Sequence, residues 1–163
     1  MESTSTVART ARPALAFFDL QAQFATIRHE ILLAVESVLE SQQFILGQQV
    51  ELFEKEAASY VESPYAVGCA SGTDALYLAL CAQGLGPNDE VITTPFTFVA
   101  TAGSIARTGA KPVFVDIDPE TFNINTDLIE QAITDKTRAI IPVHLFGLSA
   151  AMHPISKIAL KHS

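Results

Sequence analysis

Apolar residues recur at helical spacing early in the chain, with Phe24, Ile27, Ile31, Val35 and Val38 three or four positions apart. This spacing predicts an amphipathic helix of about five turns over residues 21–39. A loop follows, Ser41-Gln42-Gln43-Phe44-Ile45-Leu46-Gly47. A second helix is expected over 50–61, with Val50, Phe53, Ala57 and Tyr60 or Val61 inward, and Ser63-Pro64 ends it. Beyond residue 64 the pattern changes. Strands are expected at 65–70, 90–94, 111–116 and 137–143, alternating with helices over 73–83, 99–108, 127–133 and 154–162. Gly109 is placed to close the helix over 99–108, Thr126 to cap the next helix, and Pro154 to open the last.

Strands such as Val113-Phe114-Val115 and Ala139-Ile140-Ile141 read as continuous apolar runs, which suits a sheet covered on both faces. The 73–83 helix is apolar nearly all round and is expected to be buried on both sides. The fold class is therefore α/β, a mostly parallel sheet with helices on both faces, preceded by two amino-terminal helices. Residues 1–16 read as a disordered leader, 17–63 as a helical segment and 64–163 as the α/β domain. In such sheets ligands bind beyond the carboxyl ends of the strands. The expected ends are Ser71-Gly72-Thr73, Thr94 to Phe98, Asp116 and His144, all on one rim.

Composition narrows the function. A chain of 163 residues with 48% apolar content can bury an ordinary core. A net charge of −8 argues against a nucleic-acid partner. No apolar run has membrane-spanning length, and the first 13 residues lack the apolar core of a secretory signal. Cys69 and Cys81 have no metal-ligand spacing and read as reduced, buried small residues of a cytoplasmic protein.

The richest chemistry lies at Ser71-Gly72-Thr73, where the chain enters a helix without a linker. First-turn N–H groups and the positive end of the helix dipole favour an anion there. Gly72 permits close approach to the backbone, and the Ser71 and Thr73 hydroxyls add donors. The alternative is a serine cap on a buried helix. The sequel of a P-loop and the spacing of a dinucleotide fingerprint are both absent. Phe96 and Phe98 are candidates to stack on a ring attached to the anion, with core packing as the alternative; Phe98, at a helix start, is the better placed. Thr101 lies one turn further on. Asp116 reads as a turn cap rather than a sugar ligand, and His144 as a satisfied strand-end histidine rather than a catalyst. No catalytic triad, metal cluster or buried lysine nucleophile is evident. The residues alone describe a cleft for an anionic ring compound with no evident catalyst.

Four ordered segments carry a resemblance. Ser71-Gly72-Thr73-Asp74-Ala75-Leu76, the run from Asp89 through Pro95-Phe96-Thr97-Phe98-Val99-Ala100-Thr101, Gly109 through Asp118, and Ile140-Ile141-Pro142-Val143-His144-Leu145-Phe146-Gly147 are similar to the DegT/DnrJ/EryC1/StrS sugar aminotransferases. Phe44-Ile45-Leu46-Gly47 with Val50 and Phe53-Glu54 resembles the segment before their cofactor domain, so the likeness runs from Phe18 to the end.

The resemblance implies the large domain of an aspartate-aminotransferase-type fold, in part, and pyridoxal 5′-phosphate as cofactor. It implies transfer of an amino group from glutamate to a nucleotide-linked keto sugar by a homodimer, with no nucleic acid and no membrane involved. Gly72 and Thr73, with Ser71, would hold the cofactor phosphate, and Phe98 would stack on the pyridine ring. The loop at Phe44 to Gly47 would lie near the subunit interface. The family's Schiff-base lysine and its pyridinium-pairing aspartate match positions beyond Ser163, so no catalytic residue is assigned within the chain. The chain is accordingly expected to be an amino-terminal portion, inactive alone. A related sugar dehydratase and a non-catalytic remnant or binding module are the alternatives. His153 stands where the family often carries aspartate.

Overall fold

The computed structural model describes residues 17–162, and the expected leader at 1–16 lies outside them. Packing divides the chain into a unit ending at Gly68 and a unit beginning at Cys69.

The first unit holds two helices, α1 (Leu20–Ser41) and α2 (Gln48–Tyr60). Asp19 caps α1 by accepting the Ala22 N–H at 2.9 Å, so the helix starts at its cap, ahead of the first apolar residue of the stripe. Gly47 precedes α2. A Cβ there would stand 2.7 Å from the Gln43 carbonyl oxygen, so the turn requires glycine. The expected stripe of Phe24, Ile27, Ile31 and Val35 lies on α1, yet no residue of that helix is buried. Phe44, Ile45 and Leu46 in the connecting loop are exposed as well.

The strand expected at 65–70 does not form. These residues join no sheet among the described residues, and Tyr65 and Val67 are 84% and 81% exposed. Apolar residues suit a strand, but a strand also needs a neighbour to take its backbone hydrogen bonds.

The second unit runs α3 (Gly72–Ala82), β1 (Glu90–Thr93), α4 (Ala100–Thr108), β2 (Lys111–Phe114), α5 (Thr126–Ala132), β3 (Thr137–Ile140) and α6 (Met152–Lys161). The strands form one sheet in the order β2-β1-β3, parallel throughout. Three strands stand where four were expected. β2 and β3 end earlier than the apolar runs suggest, although the Val115 and Ile141 N–H groups still donate to Thr93 and Ile92 carbonyls, each at 2.8 Å.

β1 is central and buried at every residue. Its side chains alternate between two helical layers. Val91 packs with Leu80, Ile105 and Ala110 on the side of α3 and α4. Ile92 packs with Val115, Ile124, Ile129 and Ile155 on the side of α5 and α6. Helices therefore cover both faces.

Two burial expectations are corrected. Within α3 only Leu80 is buried, while Leu78 and Cys81 lie open. Cys69 is also exposed. Apolar composition all round a helix records what its side chains favour, and here α4 and the sheet cover one side only. Caps shift by one residue too: Asn125, not Thr126, caps α5, its side-chain oxygen accepting the Asp127 N–H at 3.0 Å. Gly109 ends α4 as expected, at φ 88° and against the Pro87 ring. No helix among the described residues is long and apolar enough to cross a membrane.

The foot of the sheet is held by one carboxylate. Glu90 accepts from Lys111 Nζ at 2.9 Å and from Thr134 Oγ1 at 2.7 Å, which joins the starts of β1 and β2 to the segment entering β3. The Thr134 hydroxyl, and then the Lys111 ammonium, hold its pKa below the ordinary glutamate value. A carboxyl depressed on folding stabilises the fold above its unfolded pKa, and the effect fades as pH falls through the folded value. Glu90→Gln is therefore expected to lower the urea midpoint at neutral pH, and the gap should close as pH drops below the glutamate range. Melts across pH check this; a gap that persists in acid would contradict it.

Candidate functional site

The parallel sheet sets the rim. With all three strands running one way, the segments after β1, β2 and β3 leave from one edge, carrying Thr94 to Phe98, Asp116 and His144. The Thr93 hydroxyl donates to the Ile141 carbonyl at 2.9 Å and holds the chain beyond β3 against β1.

Ser71-Gly72-Thr73 reaches the same end by helix pairing, since no strand precedes it. Ser104 Oγ donates to the Thr73 carbonyl at 3.1 Å, and Arg107 lies 4.1 Å above the Tyr77 ring. Thr73 with Ser104 and Tyr77 with Arg107 mean that α3 and α4 run in the same direction. The first turn of α4, from Ala100 to Ser104, spans roughly 6 Å ahead of this contact. Phe98, just ahead of α4, is 73% exposed.

At the start of α3, Ser71 is the N-cap. Its hydroxyl accepts the Asp74 N–H and donates to Asp74 Oδ2, both at 3.1 Å. The Gly72 and Thr73 N–H groups have no partner among the described residues. A Cβ built on Gly72 meets nothing within 4 Å, so the space beside this residue is open. Two free donors at the positive end of a buried-side helix are suited to an anion.

The other rim residues divide. Asp116 accepts its neighbour Ile117 N–H at 2.8 Å, which is the turn role. His144 Nδ1 accepts the Ala150 N–H at 3.0 Å, so the neutral ring carries its proton on Nε2. Thr97 and Thr101 share a hydroxyl hydrogen bond of 2.9 Å. Phe96 contacts the rings of Phe122 and Phe146, with centroids 5.8 and 6.4 Å away. Pro95, Phe96, Thr97, Phe98, Leu145 and Phe146 line an apolar hollow of about 340 Å³ beside the exposed Phe98 face. Lys111 starts β2 and Lys136 precedes β3, which puts both at the sheet edge away from the rim. Among the described residues no cluster of His, Cys, Asp or Glu is placed to hold a metal ion.

Three contributors escaped the sequence reading. Phe146 enters the cluster from a short 3-10 turn, Leu145–Gly147, with a left-handed backbone at φ 54°. Asn123, buried, donates to the Leu148 and Ser149 carbonyls at 3.3 Å each and so steadies that loop. Arg107 is the third, and only its position in the last turn of α4 hinted at it.

A family model described as DegT/DnrJ/EryC1/StrS aminotransferase matches residues 25–163. The chain belongs to this family. Among similar family proteins, a pleiotropic regulatory protein of Geobacillus stearothermophilus is 54% identical over 88% of the chain and 39% of its own length. The UDP-2-acetamido-2-deoxy-3-oxo-D-glucuronate aminotransferase of Pseudomonas aeruginosa is 49% identical over 90% of the chain and 41% of its length. The crystal structure of S. venezuelae DesV in complex with a ketimine intermediate is 42% identical, with a TM-score of 0.90 over 93% of this chain and 41% of that one. Bacillus subtilis ntda with bound cofactor PMP is 41% identical, with a TM-score of 0.81 over 82% of this chain and 31% of that one. The chain thus spans about two fifths of the length of the curated family members it matches.

The open space at Gly72 separates fold from binding. Gly72→Ala is expected to change stability by less than about 1 kcal/mol. It should weaken inorganic phosphate binding by about tenfold, because the new methyl group takes up open space beside the first free amide. Calorimetric titration beside a thermal melt checks both. Unaltered phosphate affinity would place the anion elsewhere.

Proposed function

We propose that this chain supplies the phosphate-holding and ring-covering part of a pyridoxal 5′-phosphate aminotransferase. The proposed substrate is a nucleotide-linked keto sugar, with glutamate as amino donor. The observation that carries the reading is the pair of unpartnered Gly72 and Thr73 amides at the start of α3, with the exposed Phe98 just ahead of the parallel helix α4. Family membership and the names of the sugar aminotransferase relatives support the reaction class.

The residues present fit the cofactor. Its phosphate would take the Gly72 and Thr73 N–H groups and the Thr73 hydroxyl, with Ser71 fixing the helix end through its cap. Phe98 would cover one face of the pyridine ring and keep water from it. When bound, this cofactor supplies an electron-withdrawing ring that accepts electrons from the reacting carbon. Ser104, donating to the Thr73 carbonyl, ties α4 to the start of α3.

The whole enzyme is proposed to be a homodimer working in the cytoplasm. Support comes from the unburied apolar stripe of α1 and from the exposed Phe44, Ile45 and Leu46. Two cysteines present as free thiols suit a reducing compartment. The chain by itself is proposed to hold the cofactor without turning it over. Lys111 and Lys161 are engaged with Glu90 and Glu130, so neither is a free amine poised at the rim.

Titration of the chain with pyridoxal 5′-phosphate and with pyridoxal tests the reading. The phosphorylated form should bind at least about tenfold more tightly. Phe98→Ala should weaken the cofactor by about three- to tenfold and leave inorganic phosphate unchanged. With cofactor and glutamate present, no 2-oxoglutarate should form. Equal affinity for the two pyridoxal forms would overturn the assignment.

A further inference from the structure

We infer that Arg107 sets the anion affinity of the Gly72–Thr73 site by neutralising Asp74, an inference that rests on the function proposed above. Asp74 lies in the first turn of α3, where a carboxylate stabilises the helix through its dipole. The same charge repels any other anion arriving at that end. It is close to the site, because its Oδ2 accepts from the hydroxyl of Ser71, the residue just before the two free amides.

Arg107 meets the other oxygen of this carboxylate, Nη1 to Oδ1 at 3.3 Å. Its guanidinium is held over Tyr77, 4.1 Å from the ring centroid, on the next turn of the same helix. Arg107 also lies in the last turn of α4, where a cation is favoured by that helix's dipole. Three separate attractions thus aim one cation at Asp74. Both carboxylate oxygens are occupied, Oδ2 by Ser71 and Oδ1 by Arg107. An incoming phosphate then meets the amides and the dipole with the acid's charge balanced. Arg107 is a positioning residue in this scheme and touches no ligand itself.

A purely structural role, bracing α4 to α3, makes different predictions. The test follows inorganic phosphate by the amide shifts of Gly72 and Thr73 in the full chain. Arg107→Ala should weaken binding about three- to fivefold. Adding Asp74→Asn to that variant should return affinity to within about twofold of the parent, because the uncovered charge is gone. Asp74→Asn alone, which leaves Arg107 on Tyr77, should bind phosphate at least as tightly as the parent, and Arg107→Lys should keep most of the affinity. A double variant as weak as Arg107→Ala would overturn the inference in favour of bracing. So would weaker binding by Asp74→Asn alone, or unchanged binding by Arg107→Ala. If phosphate shifts neither amide in the parent chain, the anion site itself falls, and this inference falls with it.

Discussion

Burial of the central strand governs the second unit. β1 has strands on both sides and helices above and below, so each of its four residues is closed off from solvent. Such a strand works only if its neighbours supply both hydrogen bonds and cover. Val91 and Ile92, adjacent in sequence, anchor opposite helical layers. Parallel neighbours follow from the helical crossovers between strands, and parallel strands finish on one edge. The rim that gathers Phe98, Asp116 and His144 is therefore a consequence of how β1 is covered.

Much of this was readable from residues alone. The helices at both ends of the chain, the three sheet strands, the glycine closing α4 and the two-sided cover all follow from period and punctuation. The failures share a physical cause: pattern records preference, and burial needs a partner. The 65–70 segment has strand-like side chains and no ladder to join. α3 is apolar all round, and one side of it is covered. Cys81 within it is exposed for the same reason, and Cys69 ahead of it is exposed as well. Helix ends moved by a residue or two wherever a better cap, Asp19 or Asn125, stood just upstream of the expected start.

At the site, the local features were legible and the long-range ones were not. Ser71 followed by Gly72 and Thr73 announces a helix start with free donors, and that is what stands there. Asp116 and His144 took the bland roles expected of them, each satisfied by a nearby backbone N–H. Nothing local links Asp74 to Arg107, which are 33 residues apart. Nor does any spacing bring Phe146 to Phe96, since that contact depends on a left-handed turn at a phenylalanine. Charge balance and aromatic clustering emerge only once the two helices and the loops after β1 and β3 are side by side.

The two flanks of the sheet differ in one respect with wider meaning. The Lys111 and Val115 N–H groups point toward β1, donating to Asp89 and Thr93 carbonyls at 2.9 and 2.8 Å. By alternation the Pro112 nitrogen faces outward, and proline has no hydrogen to offer there. β3 contains no such interruption along Thr137–Ile140. The β2 flank is consequently blunted at Pro112 against an additional chain, while Thr137–Ile140 on the β3 flank carries no proline.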